Sequence, residues 1–190
     1  MKSMRSNLFR GLGLIAAAAL FLSSQACSSG SSSTSGGRAA HPAAGEKGES
    51  QEVVSLDFSL PRAMGDGDVD LKRYEGTIRV VDFWATWCPP CRMAIPWLND
   101  LHRKYKDQGV TVVGISVDEN PKALAGFDKE THIEYVSLLS TERAEKAFGT
   151  IVGLPTTFVL DRRGAVYKSY IGETDRDELE SDIQALLAVR

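Results

Sequence analysis

The stretch Ala85–Pro96, ATWCPPCRMAIP, holds two of the chain's three cysteines and decides the fold. Its two thiols, Cys88 and Cys91, form a CxxC pair. A mostly apolar run, Thr77–Trp84, precedes the pair and is typical of a buried strand. Apolar positions with helical spacing follow it, which predicts a helix over Cys91–Tyr105. The pair is therefore predicted to lie between a strand and a helix.

A CxxC pair has three possible uses: a metal clip, a structural staple or a redox dithiol. A structural zinc site normally has four ligands, but there is no second CxxC, and His102 and His132 lack ligand spacing. A disulfide that closes so short a loop adds little stability. The strand–CxxC–helix context favours a redox dithiol, so we expect no bound metal.

The placement of the two cysteines matches what thiol–disulfide exchange requires. At a helix start, unpaired backbone N–H groups and the helix dipole stabilise a thiolate, which predicts Cys88 as the attacking sulfur. Cys91 lies one turn later and is predicted to resolve the mixed disulfide. Pro90 fits the first turn because its missing N–H costs nothing there, and Pro89 and Pro90 stiffen the loop.

The rest of the folded region alternates between strand-like and helix-like segments. Gly65-Asp66-Gly67 has turn chemistry and predicts a hairpin near the start. The order β, hairpin, β-α-β-α-β-α-β-β-α indicates an α/β protein with a mixed sheet and helices on both faces. Further strands are predicted at Val53–Leu60, Val110–Val117, Glu134–Leu139, Thr156–Asp161 and Ala165–Gly172, and further helices at Pro121–Lys129, Thr141–Phe148 and from a Thr174 cap through Val189.

The region before this domain predicts export. Residues 1–26 combine a basic start with the apolar run Gly11–Leu22, which is too short to span a bilayer, and small residues before a cut after Ala26. Residues 27–52 are rich in Ser and Gly and predict a flexible tether. The folded domain is then expected over residues 53–190.

Composition bounds the function. The hydrophobic and charged fractions, 43% and 25%, are ordinary for a globular protein. The net charge of −3 would become −6 after loss of residues 1–26, so a nucleic-acid partner is not indicated. Three cysteines are too few for a disulfide scaffold.

Three segments together carry a family resemblance: DFWATWCPPC (Asp82–Cys91), VVGISVDE (Val112–Glu119) and FGTIVGLPTTFVLDRRG (Phe148–Gly164). They resemble thioredoxin-fold proteins of the TlpA/ResA type, over roughly Val53–Arg190. The resemblance implies a thioredoxin fold with an N-terminal β-hairpin extension and no cofactor beyond the redox-active disulfide. It also implies a cis Leu154–Pro155 bond that faces the CxxC and holds substrate backbone.

A second resemblance concerns the end of the export signal. Ser23–Cys27 (SSQAC) is similar to a bacterial lipobox, in which Cys27 would be lipidated. The segment departs from that pattern, because Ser24 stands where Leu is typical and Gln25 where a small residue is. The alternative is plain secretion with Cys27 as a stray thiol, which is a liability in an oxidising compartment.

Asp82 is the candidate proton acceptor. A carboxylate in an apolar strand is costly to bury without a role, and burial would raise its pKa towards neutrality. In thioredoxin-like proteins the matching Asp lies behind the second cysteine and accepts its proton. ResA-type members usually carry instead a Glu three residues after that cysteine, where this chain has Ala94. The alternative is an outward-facing Asp82.

Other residues near the pair receive separate expectations. The resemblance places Trp87 beside the CxxC, where it shapes the docking surface. Arg92 is expected to be solvated, and Asp118 and Glu119 are expected to be loop carboxylates. The implied substrate-binding residues are Trp87, Pro89, Pro90, Leu154 and Pro155.

These residues predict a thiol–disulfide oxidoreductase that reduces disulfides of exported proteins, for example in cytochrome c maturation. By resemblance, electrons would come from a membrane thiol transporter of the DsbD/CcdA type, and the domain would lie on the periplasmic side of a bacterial membrane. Two alternatives are a peroxiredoxin-like thiol peroxidase and a copper carrier of the Sco type. The first would need PxxxTxxC and the second CxxxC with a distal His. Cys-Pro-Pro-Cys by itself leaves the direction of electron flow open.

Overall fold

A mixed sheet of five strands lies at the centre of the protein, and a separate two-stranded hairpin precedes it. The computed structural model describes residues 52–189. The strands are β1 (Ser59–Pro61), β2 (Asp68–Asp70), β3 (Ile78–Trp84), β4 (Val110–Ser116), β5 (Val136–Leu139), β6 (Thr156–Leu160) and β7 (Val166–Ile171). The central order is β5-β4-β3-β6-β7, with β3 parallel to β4 and antiparallel to β6. The predicted mixed sheet is confirmed.

Four α-helices connect or follow these strands: α1 (Pro89–Tyr105), α2 (Pro121–Thr131), α3 (Glu142–Ala147) and α4 (Arg176–Ala188). Helix α1 begins directly after Cys88 and contains Pro96 in its interior. The predicted Thr174 cap of α4 is wrong. Asp175 is the N-cap, and its Oδ1 accepts hydrogen bonds from the N–H groups of Asp177 and Glu178, both at 3.0 Å. A carboxylate suits this end of a helix, where the dipole is positive.

All seven residues of β3 are buried, because helices or loops cover both faces of the sheet. One face packs against α1 and α4, through side chains such as Leu98 and Ile183. The other packs against α3 and the segment before β1, through side chains such as Phe148 and Leu56. A third apolar cluster, which includes Trp84, Ile95 and Leu124, surrounds the two cysteines. The buried side chains of Cys91 and Ile95 therefore anchor the amino end of α1 in the interior.

The segment before β1 differs from the predicted strand. Of the predicted Val53–Leu60 strand, only Ser59 and Leu60 pair in a ladder, as part of β1 with β2. Val53 forms an isolated bridge with Ala165. The apolar content that predicted a strand is nevertheless buried, because the alternate side chains of Val54, Leu56, Phe58 and Leu60 point into the protein. The alternation serves packing onto the sheet rather than strand pairing.

The predicted export signal, the Cys27 lipidation site and nearly all of the predicted tether lie outside the described residues. Within residues 52–189, none of the helices combines the length and apolar character needed to cross a bilayer.

Candidate active site

Cys88 and Cys91 lie at the carboxyl end of β3 and are joined by a disulfide bond. Cys88 is the N-cap of α1, with extended backbone angles, and its Sγ accepts a hydrogen bond from the Cys91 N–H at 3.3 Å. Both residues are buried. In the reduced protein, the N–H groups of the first helical turn would face a Cys88 thiolate and stabilise it.

The Leu154–Pro155 peptide bond is cis, as the resemblance implied. Two hydrogen bonds fix the backbone around it: the Gly172 N–H donates to the Pro155 carbonyl at 2.8 Å, and the Thr156 hydroxyl donates to the Gly153 carbonyl at 2.8 Å. Leu154 packs against the apolar cluster that holds the cysteines. The cis proline therefore lies on a rigid segment beside the dithiol.

Asp82 points into the protein and is only 2% exposed, so the outward-facing alternative is wrong. Its Oδ1 accepts a hydrogen bond from the Thr157 hydroxyl at 2.8 Å. Burial raises the pKa of Asp82 to about 7, while the hydrogen bond from Thr157 acts in the opposite direction. A carboxyl group with this pKa exchanges protons readily near neutral pH.

A small cavity of about 30 Å³ connects Asp82 with the surface around the cis proline. Its wall includes Pro90, Ala94, Pro155 and Glu173. This volume has room for a water molecule, and the cavity supplies polar partners for one. Ala94 leaves the α1 side of the wall apolar, so Asp82 is the carboxylate at the base of this cavity.

Four exposed apolar side chains flank the dithiol and the cis proline, and we call them the apolar rim: Trp87, Met93, Val152 and Ile171. Trp87 is 67% exposed next to Cys88. The Ile171 Cγ2 lies 3.8 Å from the point where a Cβ on Gly153 would stand. Exposed apolar groups collected at one place mark an interaction surface. Sequence reasoning found Trp87 but missed the other three, of which Val152 and Ile171 come from distant parts of the chain.

Asp118 is the second functional feature that sequence reasoning missed. It lies in a loop as expected, but it also accepts hydrogen bonds from both the N–H and the hydroxyl of Thr86, two residues before Cys88. No local sequence signal links residues 32 positions apart. Arg92 was expected to be solvated, and its side chain is indeed exposed. Its guanidinium group also lies over the Phe127 ring, 5.3 Å from the ring centroid.

Comparison with known proteins agrees with this geometry. Residues 49–187 match the Redoxin family. The chain is 34% identical over 120 residues to the thiol-disulfide oxidoreductase ResA of Bacillus cereus, covering 62% of this chain and 68% of that protein. It is 30% identical over 129 residues to ResA of Bacillus subtilis, covering 68% and 72% of the two chains.

A solved structure shows the same architecture. The thiol:disulfide interchange protein of the thioredoxin family from Chlorobium tepidum superposes with a TM-score of 0.66 at 28% identity, covering 74% of this chain and 99% of the other. The fold is therefore the thioredoxin fold. The chain belongs to the Redoxin family and is a thiol–disulfide oxidoreductase similar to ResA.

Proposed function

We propose that this protein reduces disulfide bonds in exported proteins, using Cys88 as nucleophile, Cys91 as resolving thiol and Asp82 as proton acceptor. The buried Asp82 carboxyl, with its pKa near 7, is the observation that carries the proposal. The resolving thiol has to lose its proton inside an apolar cluster, and a buried carboxyl group with a pKa near neutrality suits that task.

The reaction takes place in two exchange steps. The Cys88 thiolate attacks one sulfur of the substrate disulfide, a mixed disulfide forms, and the other substrate sulfur leaves as a thiolate. Cys91 then gives its proton to Asp82 and attacks the Cys88 sulfur, which breaks the mixed disulfide and releases the second substrate thiolate. The substrate gains two electrons, and the protein ends with the Cys88–Cys91 disulfide. The two sulfurs carry the electrons, so the proposal requires no other cofactor.

The apolar rim and the cis proline form the surface that would receive the substrate. Trp87 and Pro89 are exposed on one side of the dithiol, while Val152 lies on the loop that leads to Leu154 and Pro155. An extended polypeptide segment that carries a cysteine would run between these two sides, with its backbone against Pro155. Protein disulfides with apolar neighbours are therefore the expected substrate class.

Location and electron supply complete the proposal. Residues 1–26 would direct export, and residues 27–52 would tether the domain to a lipid on Cys27 at the outer side of a bacterial membrane. An oxidised dithiol in an oxidising compartment must be reduced again after each turnover. A membrane thiol transporter of the DsbD/CcdA type would supply that pair of electrons, and a cytochrome c precursor is one possible substrate.

The first experiment is to trap the thiol state of Cys88 and Cys91 in living cells by acid quench and alkylation. A largely reduced pair supports the proposal, because only a continuous electron supply maintains a dithiol in an oxidising compartment. A fully oxidised pair would contradict the direction of electron flow. Cys91→Ser in the same cells should accumulate mixed disulfides and so capture the substrates, whereas Cys88→Ser serves as the matched control and should capture none.

A further inference from the structure

The carboxylate of Asp118 holds the turn that precedes the dithiol. Its Oδ2 accepts hydrogen bonds from the Thr86 N–H at 2.9 Å and from the Ser116 hydroxyl at 2.7 Å. Its Oδ1 accepts one from the Thr86 hydroxyl at 2.7 Å. The fully buried Ser116 Oγ accepts in turn from the Asp118 N–H at 3.0 Å. This network, the Asp118 clamp, ties the loop after β4 to the loop after β3.

The clamped turn leads directly to the nucleophile. The Val117 N–H donates a hydrogen bond to the Trp84 carbonyl at 2.9 Å, and the Cys88 N–H donates one to the Ala85 carbonyl at 3.1 Å. Backbone hydrogen bonds therefore hold the chain on both sides of Thr86. As the N-cap, Cys88 meets the N–H groups of α1 only if its backbone keeps the observed direction. The better those N–H groups point at the sulfur, the more they stabilise a thiolate on it.

We infer that Asp118 is a positioning residue for the redox reaction: by fixing Thr86, it aligns the Cys88 sulfur with the amino end of α1 and so sets the stability of the Cys88 thiolate. Two hydrogen bonds from Thr86 reach one partly buried carboxylate, which the Ser116 hydroxyl holds in place. They restrain the turn more tightly than its own backbone contacts do, because bonds to a charged acceptor are the stronger kind. The same restraint fixes where Trp87 stands on the apolar rim. The inference rests on the dithiol chemistry of the proposed function, but not on the direction of electron flow.

The cleanest test changes Thr86, because the charge of Asp118 then stays in place. Thr86→Val keeps the side-chain volume but removes one bond of the clamp, whereas Thr86→Ser retains the hydroxyl and serves as the conservative control. We expect Thr86→Val to raise the pKa of the Cys88 thiol, which is measured from the absorbance of the thiolate. The variant should also shift the equilibrium with glutathione at least about threefold towards the Cys88–Cys91 disulfide. Thr86→Ser should stay near the native values.

Asp118→Ala removes the whole clamp, and Glu119→Ala, its exposed neighbour, is the control for loss of one negative charge. We expect Asp118→Ala to reduce insulin disulfides about tenfold more slowly than Glu119→Ala, because a small misplacement of a reacting group has effects of this size or larger.

A clamp that serves only structure would give a different result. In that case Thr86→Val and Asp118→Ala would lower the unfolding temperature while the Cys88 pKa and the glutathione equilibrium stay at native values, and the inference would be overturned. If Asp118→Ala does not fold, the comparison of Thr86→Val with Thr86→Ser still tests the inference. A native protein that cannot reduce insulin would contradict the proposed function, yet the comparison of Cys88 pKa values among variants would remain readable.

Discussion

The Thr157 hydroxyl and the Asp82 carboxylate meet between directly paired positions of β6 and β3, with 2.8 Å between Oγ1 and Oδ1. Both residues are buried, and Thr174 lies behind Thr157 with its hydroxyl oxygen 3.4 Å away. A hydroxyl that donates to a carboxylate stabilises the charged form, so Thr157 opposes the effect of burial on the Asp82 pKa. The balance of the two effects leaves Asp82 near neutrality.

Thr157→Val should therefore move the pH dependence of turnover to higher pH. The variant keeps the side-chain shape but removes the donor, so the Asp82 pKa should rise above its native value of about 7. A hydrogen bond to a charged group is worth about 1.5 kcal/mol, which corresponds to about one pH unit. The measurement is the rate of mixed-disulfide resolution as a function of pH. Thr111→Val, which removes a hydroxyl pair with Thr77 elsewhere in the sheet, should leave that profile unchanged.

In the native protein, the buried Asp82 should lower the free energy of unfolding as the pH rises, and Asp82→Asn should abolish this effect. The unfolded chain releases the Asp82 proton near 3.8, whereas the folded protein retains it until about pH 7. The contribution of Asp82 to native stability is therefore greatest below about pH 4, falls as the pH rises through this window, and stays low above it. A difference of about three pKa units corresponds to about 4 kcal/mol.

Urea unfolding of the oxidised proteins at several pH values tests this expectation. The free energy of unfolding of Asp82→Asn relative to the native protein should increase by several kcal/mol between pH 4 and pH 8. Asp100→Asn, at an exposed carboxylate that pairs with Arg103, provides the control and should give a curve nearly parallel to the native one. Parallel curves for Asp82→Asn itself would mean that Asp82 titrates normally despite its burial.

Sequence reasoning located the parts of the site that depend on local pattern. Cys88 and Cys91 were recognisable because a CxxC between an apolar strand and a helix is a contiguous signal, and the cis Pro155 followed from a family motif. The mixed sheet and the burial of Asp82 also agree with the expectations from the apolar strand segments.

The missed features all depend on contacts between distant segments. The capping oxygen of α4 could come from Thr174 or Asp175, and the structure uses Asp175 because the Thr174 hydroxyl is buried next to Thr157. The Asp118 clamp requires the β3 and β4 loops to meet, which only the folded sheet brings about. Exposed apolar residues such as Ile171 have the same local pattern as buried strand residues, so the sequence did not show that Ile171 belongs to the apolar rim.

Ile171→Ser should weaken the reduction of protein disulfides without affecting small ones. Removing a large apolar side chain from a contact surface loses about 1.5 kcal/mol or more of burial, so kcat/KM for a protein substrate should fall about tenfold. Reduction of a small aromatic disulfide should stay near native, since it reaches only the sulfur. Val189→Ser is the matched control, because Val189 has nearly the same exposure, 66% against 65%, but lies outside the apolar rim. Equal losses in the two variants would show that the rim does not bind substrate.

Gly114→Ala should destabilise the protein by about 1–3 kcal/mol, the usual range for overpacking a core. Gly114 pairs with Asp82 across β3 and β4, and a Cβ there would stand 2.9 Å from Tyr135 Cε2 and 3.1 Å from Trp84 Nε1. Both rings are buried and belong to packed clusters, so neither moves away freely.

Gly126→Ala provides the contrast, because a Cβ on that glycine of α2 meets nothing within 4 Å. Replacing an unconstrained helical glycine by alanine should stabilise the protein by about 0.5–1 kcal/mol. Urea unfolding of both variants should show a lower free energy of unfolding for Gly114→Ala and a higher one for Gly126→Ala than for the native protein. If Gly114→Ala proved as stable as the native protein, the two rings beside Gly114 would have to be loosely packed, and the burial that raises the Asp82 pKa would lose part of its structural basis.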